Sequence, residues 1–447
     1  MRAAVASLSP KLASLEEELK RWKDLATNTR HSDYSRFTRH QSQINRLYDQ
    51  FTGMIVELRK GTQGNLSLAD VRRMDDKILQ AHALWAYFRS KLLLRYSAGL
   101  DPWLEAADDL AWACFKAVAN ARERAGGKEF SKVPPLIYLG RETSPFVLPR
   151  DWNLSGQIPG VADTLFSVIL SKSPLSLISM PFHQTAHLAE TLVLAHEIGH
   201  VVEMDLGLSA TLEAALEQAA RNEAIPAGRL ADWRRCRIEV FADLYGAISG
   251  RMGFCQALIG FLGGDKASII AETIDPAREI AYPTTYLRVL LAIEALCQAD
   301  GKPAPDALVL LDDWRKTFGE DHACKDYEAD LSLIVKALLD TPMDLLGHKS
   351  IRELAALNAA SDARVKCCAE KLLSGQWPML DDPRMLFAAA TLAFDANPEA
   401  WSSKQIGQLV LGRIKELVDD APRSAADVPK EMGEYDRKTG AELAYLL

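Results

Sequence analysis

The chain has 447 residues, of which 48% are hydrophobic and 25% are charged, and its formal net charge is −8. This length exceeds what one compact core usually serves, so a globular protein with two or three domains or subdomains is expected. The negative net charge argues against a nucleic-acid-binding protein that is held mainly by phosphate contacts.

The cysteines and the apolar runs bear on the cellular compartment. Seven cysteines are spread along the chain without a CxxC pair, which predicts reduced thiols in a reducing compartment. Glu16, Glu17 and Glu18 follow the N-terminus too closely for a secretion signal. No run approaches the roughly 20 apolar residues that a membrane-spanning helix needs. We therefore expect a cytoplasmic protein with no membrane partner and no nucleic-acid partner.

The N-terminal part of the chain shows helical periodicity. Leu15, Leu19 and Trp22 recur at a spacing of three or four residues among charged residues, as they would on an amphipathic helix. Asp70 follows Ser67 by three residues, a spacing that can form a capping box at a helix start. The predicted helices lie around residues 15–22 and at residues 42–59, 67–96 and 101–124.

The sequence changes character at the Gly and Pro residues within 126–135. Short β-prone segments follow, and they predict a small sheet with strands at residues 136–139, 165–170 and 175–180. Pro174 and Pro181 flank the last of these, which favours an edge strand because proline cannot donate to a ladder. Such an edge strand could hold a substrate peptide as an additional strand.

The remainder of the chain again has helical patterns, with a break that contains Gly301, Pro303 and Pro305. The C-terminal helices are predicted at residues 306–318, 330–339, 351–373, 383–394 and 403–418. An α+β fold that is predominantly α-helical is therefore expected. Its predicted parts are a helical N-terminal region (1–127), a core with the small sheet (128–300) and a helical C-terminal region (301–447).

The most informative motif is an HExxH sequence that spans residues 196–200 and lies among aliphatic residues. His196 and His200 are four residues apart, so on a helix they lie on one face, about one turn from each other. Two imidazoles at this spacing can bind one zinc ion. Glu197 lies beside the metal position, where it can act as a general base toward water without being a ligand.

A second motif follows on a predicted helix at residues 233–249. Glu239 can supply a third metal ligand, and Asp243, one turn away, can accept a hydrogen bond from the other nitrogen of a zinc-binding histidine. Each motif alone also has a structural interpretation, as a core histidine pair or as a solvated helix face. Burying both sets of polar side chains in apolar surroundings without a metal would be costly, so together they favour a zinc site.

At these residues the sequence resembles the gluzincin group of zinc peptidases, in which HExxH is followed by a helix that carries ExxxD. The resemblance covers residues 130–290 and implies a zincin-like metallopeptidase core. It also implies that Glu239 is the third zinc ligand and that Asp243 supports His196. The metzincin pattern HExxHxxGxxH does not fit, because Glu203 and Leu206 occupy its Gly and His positions.

Weaker signals flank the two motifs. The segment around Tyr282 looks like one in some HExxH enzymes, where a residue beside proline and a following arginine approach the metal, although Tyr282 replaces the usual histidine. Tyr282, Tyr286 or Arg288 could stabilise an oxyanion or bind a substrate carboxylate; the alternative is a turn with Arg288 in a structural ion pair. His183 and His187 are interpreted as substrate contacts, as a rival metal site or as part of the loop before the motif helix.

The predicted function is zinc-dependent hydrolysis of peptide bonds, with Zn²⁺ as cofactor and a peptide or protein as substrate. Two alternatives stay open. One is a regulatory protease whose helical arms recognise a single partner protein. The other is a non-catalytic helical interaction protein that retains a zinc fold, and Glu197 argues against it because a structural zinc site does not need that carboxylate.

Overall fold

The computed structural model describes residues 2–27, 35–97, 99–126, 133–148, 168–169, 171–223, 225–299, 305–419 and 430–447. The fold is predominantly α-helical with one small three-stranded sheet, which confirms the coarse fold class predicted from the sequence. Within these residues, no helix combines the length and the apolar character that crossing a membrane requires.

The helices that precede the sheet confirm the predicted N-terminal pattern. The capping box at Ser67 is present, because its Oγ accepts a hydrogen bond from the Asp70 amide and the Asp70 carboxylate accepts one from the Ser67 amide, each at 3.2 Å. These helices are α1 (Arg2–Thr27), α2 (Ser35–Thr38), α3 (Gln41–Gly61), α4 (Leu68–Leu93) and α5 (Asp101–Arg124), with a 3₁₀-helix at Leu94–Tyr96.

The sheet consists of β1 (Leu136–Gly140), β2 (Phe146–Leu148) and β3 (Leu177–Pro181), in the order β1-β3-β2. β3 runs parallel to β1 and antiparallel to β2. β1 confirms the strand predicted at residues 136–139, whereas β2 was not predicted. The strand predicted at residues 165–170 lies outside the described residues except for 168 and 169, which are helical.

The prediction that residues 175–180 form an edge strand is wrong, because β3 is the central strand of the sheet. All five of its residues are buried, as expected for a strand that is covered on both faces. Pro174 precedes β3 and Pro181 is its last residue, so neither proline removes a donor from the interior of the ladder. β3 therefore cannot hold a substrate strand.

After the sheet, 3₁₀-helices at Phe182–Thr185 and Leu188–Val193 lead into α6 (Leu194–Asp205). The helix predicted at residues 351–373 is divided into two, and in the break between them the Leu357 amide donates to the Ile248 carbonyl. The remaining helices are α7 (Ser209–Glu223), α8 (Ala227–Leu262), α9 (Lys266–Ala271), α10 (Thr285–Ala299), α11 (Pro305–Phe318), α12 (Leu331–Asp340), α13 (Ile351–Ala355), α14 (Ala360–Leu373), α15 (Pro383–Ala396), α16 (Pro398–Ser403), α17 (Ile406–Asp419) and α18 (Lys430–Leu446), with 3₁₀-helices at Lys325–Asp330 and Asp344–Leu346.

The sheet separates two hydrophobic cores. Because successive side chains of a strand point to opposite faces, Ile137 and Ile178 join one core while Leu136 and Leu177 join the other. The larger core contains residues of α5 and of every helix from α6 to α17, and the smaller contains residues of α1, α2, α3, α4 and α18. Both HExxH and ExxxD therefore lie in the larger core. The domain boundaries predicted at residues 127/128 and 300/301 stay a prediction.

Candidate metal centre

The two sequence motifs lie on neighbouring helices of the larger core. α6 and α8 pack against each other, and their facing sides bring together three potential ligands, which are His196, His200 and Glu239. Each of the three is only 5% exposed. Both histidines lie on α6, so their i, i+4 spacing places them on one face of a helix, as predicted.

Gly199 permits the close approach of α6 and α8. A Cβ atom on this residue would lie 2.8 Å from the Cα atom of Ala242 and 3.0 Å from the Cβ atom of Tyr245. A side chain here would force the two helices apart. The glycine inside HExxH is therefore part of what allows ligands on different helices to converge.

The three ligand atoms form a compact triangle. The Nε2 atoms of His196 and His200 are 3.0 Å apart, and they lie 3.4 and 3.6 Å from Oε2 of Glu239. Ligands at the usual zinc distances of about 2.0–2.1 Å in tetrahedral geometry are separated by about 3.3 Å. The observed separations lie on either side of this value, so the residues present fit a zinc ion or a similar divalent ion.

Asp243 determines which nitrogen of His196 faces the ligand triangle. Its Oδ1 atom lies 2.8 Å from Nδ1 of His196. A proton on Nδ1 can therefore be donated to the carboxylate, which leaves the Nε2 lone pair for a metal. This is the supporting contact that was predicted for Asp243.

Arg288, on α10, holds Asp243 from the other side. Its Nε donates to Oδ2 of Asp243 at 2.7 Å and its Nη2 donates to Oδ1 at 2.8 Å. Asp243 is fully buried and Arg288 is 7% exposed, so this is a buried bidentate ion pair. The arrangement favours an indirect role for Arg288 through Asp243, and the direct catalytic role expected from the sequence stays a prediction.

The electrostatics of the centre favour binding of a cation. Burial lowers the pKa of His196, but the Asp243, Glu239 and Glu197 carboxylates outweigh it and raise this pKa to about 9. Burial raises the pKa of Glu239, but His200 and His196 outweigh it and hold this pKa well below its usual value. Both shifts favour a protonated His196 beside an ionised Glu239, and a metal ion bound there would displace the proton.

Glu197 lies on α6 next to the first histidine ligand and is itself 5% exposed. It does not belong to the group of three potential ligands, yet its negative charge contributes to the raised pKa of His196. A carboxylate close to a metal position but outside the ligand set is the arrangement that a general base requires.

The two tyrosines singled out from the sequence have different environments. Tyr282 is 54% exposed and lies near Arg288. Burial lowers the pKa of the Arg288 guanidinium, but Asp243 outweighs burial and raises this pKa, and Tyr282 adds a smaller effect in the same direction. Tyr286 is fully buried, its hydroxyl donates to Glu328 and its ring stacks on His322. Tyr282 is thus the better candidate for a contact with substrate.

An ion pair that the sequence reasoning missed joins the same two helices. Glu203, three residues after His200, accepts a hydrogen bond from Nη1 of Arg237 at 2.6 Å, and both side chains are buried. Arg237 lies two residues before Glu239 on α8. The sequence analysis noted Glu203 only because a metzincin has glycine at that position. It could not identify Arg237 as the partner of Glu203, because the two residues are 34 positions apart in the chain.

Comparisons with known proteins leave the family open. No protein-family model matches the chain, and neither the curated proteins nor the solved structures gave a significant match. The resemblance to gluzincins therefore stays a prediction that rests on the motif residues and on their arrangement in space.

Proposed function

We propose that the chain is a zinc-dependent peptidase. The observation that carries the proposal is the triangle of His196, His200 and Glu239, whose ligand atoms are 3.0–3.6 Å apart. Structural zinc sites usually have four protein ligands, whereas catalytic sites have three and leave one position open. Among the described residues, the ligand group has three members, which supports a catalytic site.

The proposed reaction is hydrolysis of a peptide bond. Zinc at this site would supply Lewis-acid chemistry, which polarises a carbonyl group and makes water more acidic. Glu197 accepts a proton from the attacking water and delivers it to the leaving amine. Asp243 and Arg288 keep His196 in the tautomer that presents Nε2, and Tyr282 is the candidate for contact with the developing negative charge.

The proposed substrate is an extended peptide. Among the described residues, β2 is an edge strand of the sheet, and α6 packs against it, so an edge strand lies next to the motif helix. Edge strands hold peptides through main-chain hydrogen bonds. Since the ligand residues and Glu197 are each only 5% exposed, the site suits an unstructured chain better than a loop of a folded protein.

Two variants test the proposal. Elemental analysis should find about one zinc per chain in the wild type, and Glu239→Ala should lose it. Glu197→Gln should retain zinc but hydrolyse a mixed peptide library at least about 100-fold more slowly than the wild type. Equal hydrolysis by Glu197→Gln and the wild type would refute the assigned base.

The same assay separates the alternatives. Cleavage of many peptides supports a general peptidase, and cleavage of one protein substrate alone supports a regulatory protease. A wild type that retains zinc but cleaves neither the library nor proteins of a cell extract would instead be a non-catalytic zinc scaffold, which contradicts the proposal.

A further inference from the structure

A cavity of about 380 Å³ lies beside the later turns of α8. Its wall is formed by residues of α8, α11, α14 and α15 and by the segment that precedes α14. The described residues that line it include none of the candidate metal ligands and neither Glu197 nor Asp243. Cavities that bind small molecules usually have volumes of about 300–1,000 Å³, so this one suits a small ligand at a place separate from the metal centre.

A break in α8 shapes one side of the cavity. Arg251 has a φ of 52° and a ψ of −139°, a conformation that residues other than glycine rarely adopt because of steric clashes. Its buried guanidinium holds the break in place, since Nε and Nη2 each donate to Asp362 at 2.7 Å and Nη1 donates to the Leu357 carbonyl at 2.9 Å. The wall is therefore fixed, and the Arg251–Asp362 ion pair adds no net charge to it.

Much of the remaining lining is apolar. Met252, Leu357, Val365 and Leu392 come from four different segments and all line the cavity. Contact with their side chains would remove an apolar group of a ligand from water. The cavity therefore favours a ligand with an aliphatic part.

Two oppositely charged side chains meet at the opening of the cavity. Lys366 on α14 forms an ion pair with Asp306 in the first turn of α11, and both residues line the cavity. Their side chains are 54% and 49% exposed, so solvent reaches them. Exposed ion pairs contribute little to stability, and a ligand that carries both charges can replace this pair with two new ones.

We propose that the cavity binds a free amino acid with an aliphatic side chain, such as leucine or methionine. The ligand ammonium pairs with Asp306, its carboxylate pairs with Lys366, and its side chain enters the apolar part of the cavity. The two charged groups of an amino acid are attached to one carbon atom, so a single molecule can reach two residues that are in contact with each other. A ligand with only one charge would leave either Lys366 or Asp306 without its partner. This binding does not depend on the proposed peptidase function.

Calorimetric titration of the full chain with L-leucine tests the site. The wild type should bind about one leucine per chain. The analogues 4-methylpentanoate and 3-methylbutylamine lack the ammonium and the carboxylate, respectively, and should bind at least about fivefold more weakly. Because an amino acid can also coordinate zinc, the titration is repeated with a zinc chelator present. An unchanged affinity separates the cavity from the metal centre.

Substitutions at the opening identify the residues that recognise the ligand. Lys366→Met and Asp306→Asn should each weaken leucine binding at least about fivefold. The matched controls are Lys371→Met on α14 and Asp313→Asn on α11, which are exposed residues outside the cavity lining. Both controls should bind leucine as the wild type does.

A steric variant provides a second test. Ala363 is an exposed residue of the lining, so the larger side chain of Ala363→Phe should block leucine binding and leave thermal unfolding unchanged. If unfolding does change, Lys366→Met and Asp306→Asn decide, because both side chains are about half exposed.

Three results would overturn the proposal. The first is that neither leucine nor methionine shows saturable binding to the wild type. The second is that Lys366→Met and Asp306→Asn bind leucine as tightly as the wild type. The third is that the two singly charged analogues bind as tightly as leucine, which would mean that only the apolar lining is used.

Discussion

Arg288 donates two hydrogen bonds to Asp243, at 2.7 and 2.8 Å, and so fixes the carboxylate that faces His196 from α8. The candidate metal ligand His196 is therefore held by a chain of contacts that crosses three helices. His196 belongs to α6, Asp243 to α8 and Arg288 to α10. Because Asp243 contacts His196 directly and Arg288 contacts only Asp243 in this chain of contacts, substitutions of these two residues should have different effects.

Asp243→Asn should weaken zinc binding by about 10- to 100-fold, because contacts of this kind orient the ligand and make it more basic. Competition with a chromophoric chelator measures this affinity. Asp275→Asn is a suitable control, since the Asp275 side chain is 52% exposed and should bind no metal. Unchanged affinity in Asp243→Asn would mean that the carboxylate does not set the tautomer of His196.

Arg288→Met should lower the free energy of unfolding by about 3–5 kcal/mol, because it removes the bidentate guanidinium partner of the fully buried Asp243 and leaves only the contact with His196. Chemical denaturation of the metal-free chain measures this effect. The double variant Arg288→Met with Asp243→Asn should recover part of the loss, since no buried charge remains unpaired. A single variant as stable as the wild type would contradict the buried ion pair.

Gly199→Ala should lower the free energy of unfolding by about 1–3 kcal/mol and weaken zinc binding as well. The reason is that its methyl group would meet Ala242 and push α8 away together with Glu239. Gly260→Ala is the matched control on α8, because a Cβ atom there meets nothing within 4 Å. That substitution should stabilise the helix by about 0.5–1 kcal/mol.

Asp205, at the end of α6, predicts a pH dependence of stability. Its carboxylate accepts hydrogen bonds from the Ser176 hydroxyl, but burial outweighs them and raises the pKa of Asp205 to about 6. A carboxyl group with a raised pKa in the folded state stabilises the protein in its protonated form. This contribution is complete below the unfolded-state pKa and is lost as the pH rises through about 6.

Asp205→Asn isolates this contribution. The free energy of unfolding of the variant minus that of the wild type should rise by about 1–2 kcal/mol from pH 4 to pH 7. This figure is smaller than the full pKa shift implies, because the Asp205 side chain is partly exposed to solvent. Denaturant titrations at several pH values in this range measure the difference. A difference that does not change with pH would show that Asp205 has an ordinary pKa.

The sequence by itself determined many of the helices and the residues that could bind a metal. The spacing of His196 and His200, and that of Glu239 and Asp243, places each pair on one helix face because helical periodicity depends only on neighbouring residues. The capping box at Ser67 was predictable for the same reason. Local patterns of this kind require no knowledge of which segments meet.

Only the tertiary structure decided the contacts between segments that are distant in the chain. β3 was predicted at the edge of the sheet and lies at its centre, because strand order depends on pairing with β1 and β2 and not on the flanking prolines. The partner of Arg288 is 45 residues away, and the need for glycine at residue 199 arises from Ala242 on another helix. Non-local packing and buried ion pairs thus convert two helical motifs into one site, and spacing along the sequence carries no information about them.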